Sequence, residues 1–341
     1  MKASLLAAAL LAVGLSPAAR AQQQPQFTHY SFNGMNLNPA YAGIKGYGEF
    51  NVIGREQYLN YRGFPGDANG SPRTGMFTAS LPVLALKGGV GLSIYHDLAG
   101  EQRLTNAALS YSQHLKIGAG QLGIGVQGVL TNLAKGEYRP IDIGDPLVPL
   151  NDSDRKFDAG VGVWYEAPKF YAGLSMNNLF RATYTLQSAI RDANGNITAY
   201  QNTSRFLGEN HAYLTVGGNI DLTDAVVLTP TAIVKAVLPG SYADESKFFS
   251  AKNYSVEAGV RATLNERFWL GANYRYDESV SGLFGLSFAK DNALSLGLAY
   301  DFIAFNQEAR AVSSLELLLS YRLPRPTLFV RPAIRTPRYS F

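Results

Sequence analysis

The sequence predicts an all-β fold, a transmembrane antiparallel up-and-down β-barrel of about 14 strands, and three observations carry that expectation. Apolar and polar residues alternate with period two along segment after segment, the mark of strands with two different faces. The connections between those segments sort into short and long by parity. Charged residues make up only 16% of the chain, while Gly reaches 34 and Tyr 20; globular domains usually carry about 25% charge. Low charge with mean hydropathy near zero suits a wall that is apolar outside and polar inside.

Residues 1–21 read as a signal peptide. Lys2 gives the positive start, Leu5 to Leu15 the apolar stretch, and Ala19-Arg20-Ala21 the small-x-small cleavage site before Gln22. Removing Lys2 and Arg20 from the 30 basic residues leaves 28 against 26 acidic ones, a balance that argues against nucleic acid as a partner. After residue 21 no apolar run approaches the roughly 18–20 residues of a transmembrane helix.

Residues 22–46 lack clean periodicity and mix Asn, Gln and aromatics. Phe27, Tyr30, Phe32 and Tyr41 are too many large rings for a solvated tail. The segment, in which Asn38 also stands, is therefore expected to pack into or across the mouth from which the first strand rises, with Pro39 and Gly43 shaping the turn into the wall; the alternative is that the rings dock on the bilayer interface.

The barrel is expected over 47–323. Strands fall near 47–61, 73–83, 87–97, 102–117, 120–133, 156–167, 169–179, 209–222, 225–238, 252–264, 267–277, 280–289, 293–303 and 313–323. The alternation is plain in Phe157, Ala159, Val161, Val163 and Tyr165 against Asp158, Gly160, Gly162, Trp164 and Glu166. It recurs in Val256, Ala258, Val260 and Ala262 against Glu257, Gly259, Arg261 and Thr263. Connections after even-numbered segments are short, such as Gly118-Ala119 and Asn265-Glu266. Several after odd-numbered ones are long: 62–72, 134–155, 180–208 and 239–251. A soluble sandwich has no reason to sort loops by parity, whereas an outer-membrane barrel has short periplasmic turns and long outer loops. An even strand count then leaves both termini periplasmic.

Tyr95, Tyr165, Tyr276, Tyr300, Phe302 and Tyr321 lie near segment ends, where rings suit the lipid headgroup level. Glu49, Arg55, Asp158, Glu257, Arg261, Arg275, Glu316 and Arg322 fall on the lumen face and are expected to pair across the interior, charges of both signs that suit a blocked or structural lumen as much as an ion pore. Asp145, Asp152, Arg155, Arg191 and Asn194, in the long loops, are the accessible polar groups offered to a partner outside.

The last segment, 324–341, holds Pro324, Pro326, Pro332 and Pro337 with Arg325, Arg331, Arg335, Arg338 and no acidic residue. Repeated Pro forbids a fully paired strand and favours an extended chain. Such a basic tail suits an acidic groove on a periplasmic partner, with anionic lipid as the competitor.

Catalytic and cofactor chemistry is sparse. The chain has no Cys, which excludes disulfides, thiolate metal sites and Cys nucleophiles. Gly-x-Gly recurs at 89–91, 123–125 and 160–162, but inside strand segments and on one face, where close packing of backbone explains it better than a nucleotide loop. The four His show no HExxH or paired ligand spacing. His114 with Ser110 or Ser112 is the best hydrolase set available, and Asn151, Asp152 and Asp154 lack the spacing of a calcium loop. No enzyme, cofactor or metal is expected.

At residues 22–46 the chain resembles the PorP/SprF family of Bacteroidota outer-membrane proteins. The carrying residues are Gln24-Pro25-Gln26-Phe27, Tyr30, Phe32-Asn33 and the box Asn38-Pro39-Ala40-Tyr41-Ala42-Gly43. The likeness continues through Arg55-Glu56-Gln57, Gly89-Val90-Gly91-Leu92-Ser93, Phe170-Tyr171-Ala172-Gly173-Leu174-Ser175 and Leu318-Leu319-Ser320-Tyr321-Arg322. Asn33-Gly34 departs from the Asn-Pro common there.

The resemblance implies an integral outer-membrane barrel of the type IX secretion system. Its partners would be outer-membrane lipid, secretion components, and a secreted client with a C-terminal targeting domain, such as a gliding adhesin held at the cell surface. The alternatives are a passive channel for small or hydrophobic solutes and a membrane-embedded hydrolase using His114.

Overall fold

A computed structural model gives the structure of the protein and describes residues 24–61, 70–136, 152–192, 196–238, 253–303 and 313–325. Residues 1–21, expected as a signal peptide, and tail residues 326–341 lie outside the described residues.

Seventeen strands run in chain order: β1 (Glu49–Glu56), β2 (Arg73–Val83), β3 (Gly88–Ala99), β4 (Gln102–Ile117), β5 (Gly120–Lys135), β6 (Asp152–Glu166), β7 (Phe170–Asn177), β8 (Thr183–Arg191), β9 (Ile197–Leu207), β10 (Asn210–Gly218), β11 (Ile220–Thr223), β12 (Val226–Leu238), β13 (Tyr254–Leu264), β14 (Phe268–Arg275), β15 (Ser279–Phe288), β16 (Leu294–Ile303) and β17 (Ser313–Arg322). β10 and β11 flank Asn219 and both pair with β12, so they form one interrupted stave. β8 and β9 pair only with each other. The remainder is a closed antiparallel barrel of fourteen staves. Closure is the β1–β17 ladder, from Glu49 opposite Arg322 to Glu56 opposite Leu315. Closing the sheet leaves no unpaired edge, the condition for strands to cross lipid.

Sequence alternation becomes inside and outside. Along β16, Ser295, Gly297, Ala299, Asp301 and Ile303 point inward, while Leu296, Leu298, Tyr300 and Phe302 stand on the exposed outer surface. The same rule exposes Phe157, Val161 and Val163 on β6 and Leu317, Leu319 and Tyr321 on β17. A continuous apolar exterior of this kind would be an aggregation surface in water and is the right surface in lipid. No helix among the described residues is long and apolar enough to cross a membrane.

One end of the barrel carries the short turns. At Asn265 and Glu266 φ is 49° and 55°, two successive left-handed residues whose twist matches the flanking strands of a tight hairpin.

Four local expectations are corrected. β1 ends at Glu56, not near 61, because Tyr58 and Asn60 take positive φ and turn the chain. β6 begins at Asp152, so Asp152 and Arg155 sit on a strand that extends past the expected start at 156. The segment 180–208 is not a plain loop, since β8 and β9 form a ribbon within it. Tyr95, expected at the lipid interface, instead points into the lumen and packs with Phe27, Ile53, Met76 and Leu318. Tyr300, Phe302 and Tyr321 do face outward.

Candidate functional site in the filled lumen

The lumen is occupied by the chain's own N-terminal segment. From Phe27 to Ile44 the segment makes a 3-10 turn (Tyr30–Phe32), one α-helical turn (Gly34–Leu37) and a second 3-10 turn (Pro39–Tyr41). Asn38 starts the last of these by accepting the Ala40 N–H at 2.9 Å, with Pro39 at the first turn position, where its missing N–H costs nothing. Gly43 leaves the turn at φ 69° and donates its N–H to Ser80 Oγ at 2.8 Å. Phe27, Tyr30, Met35, Leu37, Tyr41 and Ile44 are all buried. Each such side chain contributes roughly 1.5–3 kcal/mol relative to solvent exposure.

Small residues on the wall make room for this backbone. Gly89, Ser112, Gly125, Gly162 and Ser175 form one register row across β3, β4, β5, β6 and β7. The segment Leu37–Ala42 lies along that row. A Cβ on Gly125 would come within 2.2 Å of Ala40 N, one on Gly89 within 2.2 Å of Ala42 O, and one on Gly162 within 2.1 Å of Asn38 Oδ1. The two serines fasten the same stretch: Ser112 Oγ donates to Ala40 O at 3.0 Å and Ser175 Oγ to Leu37 O at 2.6 Å. Asn38 Nδ2 donates to the carbonyls of Val163 and Leu174 at 2.9 and 3.1 Å. The strand glycines Gly89, Gly91, Gly123, Gly125 and Gly162 are therefore contact surfaces for the segment, whereas Gly160 faces Gln127 and Asn177. His114 is spent in the same way, its Nε2 lying 2.9 Å from Ala42 O.

Across the lumen a buried charge cluster grips Thr28 and His29. Glu316 on β17 accepts the Thr28 N–H at 2.7 Å and the His29 N–H at 2.8 Å, and its Oε1 lies 2.8 Å from His29 Nδ1. Arg55 on β1 bridges Asp301 at 2.6 Å and Glu316 at 3.1 Å, while Thr28 Oγ1 donates to Asp301 Oδ1 at 2.6 Å. Asn273 Nδ2 donates to Thr28 O at 2.9 Å and to Glu257 Oε1 at 3.0 Å, and Arg275 bridges Glu257 and Glu278 at 2.9 and 2.7 Å. Buried ion pairs add little net stability over apolar packing, but removing one partner strands the other. The cluster thus fixes where the segment sits.

At the short-turn mouth Tyr41 Oη donates to Glu49 at 2.8 Å, and Lys45 pairs with Glu166 at 2.7 Å. Burial first, and then the Glu49 charge, hold the Tyr41 phenol well above its ordinary value, so it stays a neutral donor. Trp164 stacks on Tyr171 at 5.1 Å and takes Tyr41 edge-on at 5.1 Å. Toward the long-loop end, Gln24, Asn36, Tyr95, Asn106, Gln127 and Asn177 enclose a small polar cavity.

The ribbon β8–β9 leans on the same wall. Asp154 and Asp152 on β6 accept the main-chain N–H groups of Thr185 and Gln187 at 2.9 and 2.8 Å, which caps one edge of β8. Lys135 lies 3.7 Å over the Phe206 ring.

The structure gathers Phe27, Tyr30, Phe32, Asn38, Pro39, Tyr41 and Gly43 in the lumen, reaching beyond the mouth to the level of Arg55 and Glu316. The loop residues are not gathered into one site. Asp152 is engaged with β8, Arg155 Nε donates to Asn132 Oδ1 at 3.2 Å, and Arg191 ends β8. Asp145, Asn194, Arg331, Arg335 and Arg338 lie outside the described residues, and Arg325 is exposed just past β17. Asp301 and Glu278 went unremarked in the sequence; Asp301, in the inward register of β16, was legible there. Among the described residues no group of three or more His, Asp or Glu is placed to hold a metal.

Residues 19–321 match the family described as type IX secretion system membrane protein PorP/SprF. No curated protein matches the sequence. Among solved structures, the CymD monoaromatic hydrocarbon channel is 12% identical with a TM-score of 0.48, over 91% of this chain and 94% of that one. The Pseudomonas putida toluene transporter TodX is 11% identical with a TM-score of 0.44, over 88% and 94%. The β domain of the Bordetella autotransporter BrkA is 13% identical with a TM-score of 0.40, over 81% and 98%.

Proposed function

The chain belongs to the PorP/SprF family of type IX secretion system membrane proteins, and from that membership and its filled lumen we propose that it is a non-catalytic outer-membrane barrel that supports secretion by holding an exported protein at the surface. The observation that carries this reading is the N-terminal segment itself. A barrel that serves as a solute path needs an open or openable lumen, whereas here Thr28, His29 and Leu37–Ala42 are bonded to opposite walls. Such a barrel is built as a rigid body in the membrane, and its recognition surfaces are its two rims.

In this reading the short-turn end faces the periplasm, where β17 delivers the tail with Arg325, Arg331, Arg335 and Arg338 to a periplasmic component. The long-loop end faces outward, and the β8–β9 ribbon with Asp145, Asp152, Arg155, Arg191 and Asn194 marks the client side. The Ser112 and His114 pair is not a catalytic set here, since both side chains hold the segment's carbonyls.

The test is a comparison of surface-exposed and released proteins in cells with and without the gene. The reading expects one or a few exported proteins with a C-terminal targeting domain to leave the surface fraction, with solute uptake unchanged. Loss of uptake of small solutes with an unaltered surface proteome would replace it with the channel reading.

A further inference from the structure

We propose that the short-turn mouth of the lumen contains an oxyanion-binding site centred on Arg261, taking a carboxylate or phosphate group that enters from that side. Arg261 lies on the inward face of β13, four residues below Glu257 and opposite Thr229 of β12. The charge cluster around Glu257 uses Arg275 and Asn273 and leaves nothing for Arg261. Its guanidinium lies 4.5 Å from the Phe32 ring centroid and 5.9 Å from that of Trp269. Two aromatic contacts hold the planar fork in one orientation.

The fork has no anionic partner. Arg261 Nε is buried without a hydrogen bond, and none of the ion pairs among the described residues includes Arg261. Glu166 and Glu49, carboxylates of the same mouth, are already engaged, Glu166 by Lys45 and Trp164 and Glu49 by Tyr41. The charged or phenolic groups that do face Arg261 are Tyr171, Tyr47 and Arg322, of which Tyr47 is hydrogen-bonded to Arg322. A second cation and two neutral phenols beside an unpaired guanidinium leave this group of side chains without an anion. Elsewhere in this lumen every other inward arginine near the segment has its carboxylate or carbonyl. A half-buried cation held on aromatic rings is costly to leave uncompensated, and a planar fork matches the two oxygens of a carboxylate or phosphate.

The group is supplied by an external oxyanion that reaches the mouth from solution. The test is titration of the purified, folded barrel in detergent with inorganic phosphate at constant ionic strength, read by tryptophan fluorescence. Trp269 lies beside Arg261, and the chain has only 2 Trp. Saturable binding is expected. Arg261→Gln should weaken it at least tenfold, and Arg261→Lys, which keeps the charge but loses the stacked plane, several-fold, with Arg73→Gln, in an exposed pair far from this mouth, unchanged. If Arg261→Gln does not assemble, the folded Arg261→Lys protein decides. No saturable response, or responses unaltered by the Arg261 variants, would overturn the site.

Discussion

At the scale of single residues, the lumen is specified by what is missing as much as by what is present. Gly125 is required because any Cβ would meet the Ala40 main chain. Gly125→Val is therefore expected to destabilise the barrel by about 1–3 kcal/mol through overpacking, measured as a lowered urea midpoint in micelles, with Gly128→Val, whose position is open, as the neutral comparison. A midpoint unchanged by Gly125→Val would mean that the segment does not lie on this row. Charge gives the second test. Glu316→Ala removes the acceptor of Thr28, His29 and Arg55 together and should cost about 3–5 kcal/mol by leaving two buried N–H groups unpaired and Arg55 with Asp301 alone. Adding Arg55→Met and Asp301→Leu to it should recover part of that loss; a triple variant no better than the single would contradict the ion-pair account. The inward positions of Glu316 and Arg55 were legible from period two alone. Their partners were not, because pairing depends on which staves the closure at β1–β17 brings side by side.

At the scale of elements, strand positions were readable because lipid outside and a packed lumen inside impose opposite demands on alternate residues. The ends were less readable. β1 and β6 differ from the pattern where the strand leaves the membrane band and no longer needs an apolar face. The β8–β9 ribbon escaped for the same reason, although Asn194-Gly195 is a strong hairpin signal. Thr183, Thr185 and Gln187 alternate with Tyr184, Leu186 and Ser188, and neither set is uniformly apolar. Because the ribbon pairs with no barrel strand, replacing 183–207 by a short Gly-Ser turn should leave assembly intact, seen as retained heat-modifiable migration, while retention of the surface client falls. Failure of the barrel to assemble would show that the ribbon belongs to the wall. Orientation is tested on the same elements: with no native Cys, Thr198→Cys should react with an impermeant reagent on intact cells and Glu266→Cys only after lysis. The reverse pattern would invert the assignment of both rims.

At the scale of the whole molecule, a barrel of fourteen staves encloses more space than wall side chains alone fill, and this chain fills much of it with its own first residues. That the N-terminal rings had to be buried was readable from Phe27, Tyr30, Phe32 and Tyr41; how deep they go was not. The depth is set by the register row that admits Leu37–Ala42 and by the cluster that takes Thr28, both of which exist only once the sheet has closed. The central claim is that this filling makes the protein a closed anchor and not a solute path. Ion conductance across planar lipid bilayers tests it most directly, comparing the chain from residue 22 onward with one lacking residues 22–40. The account predicts no open-pore steps for the whole chain and clear steps for the shortened one. Steady open-pore current through the whole chain would contradict it.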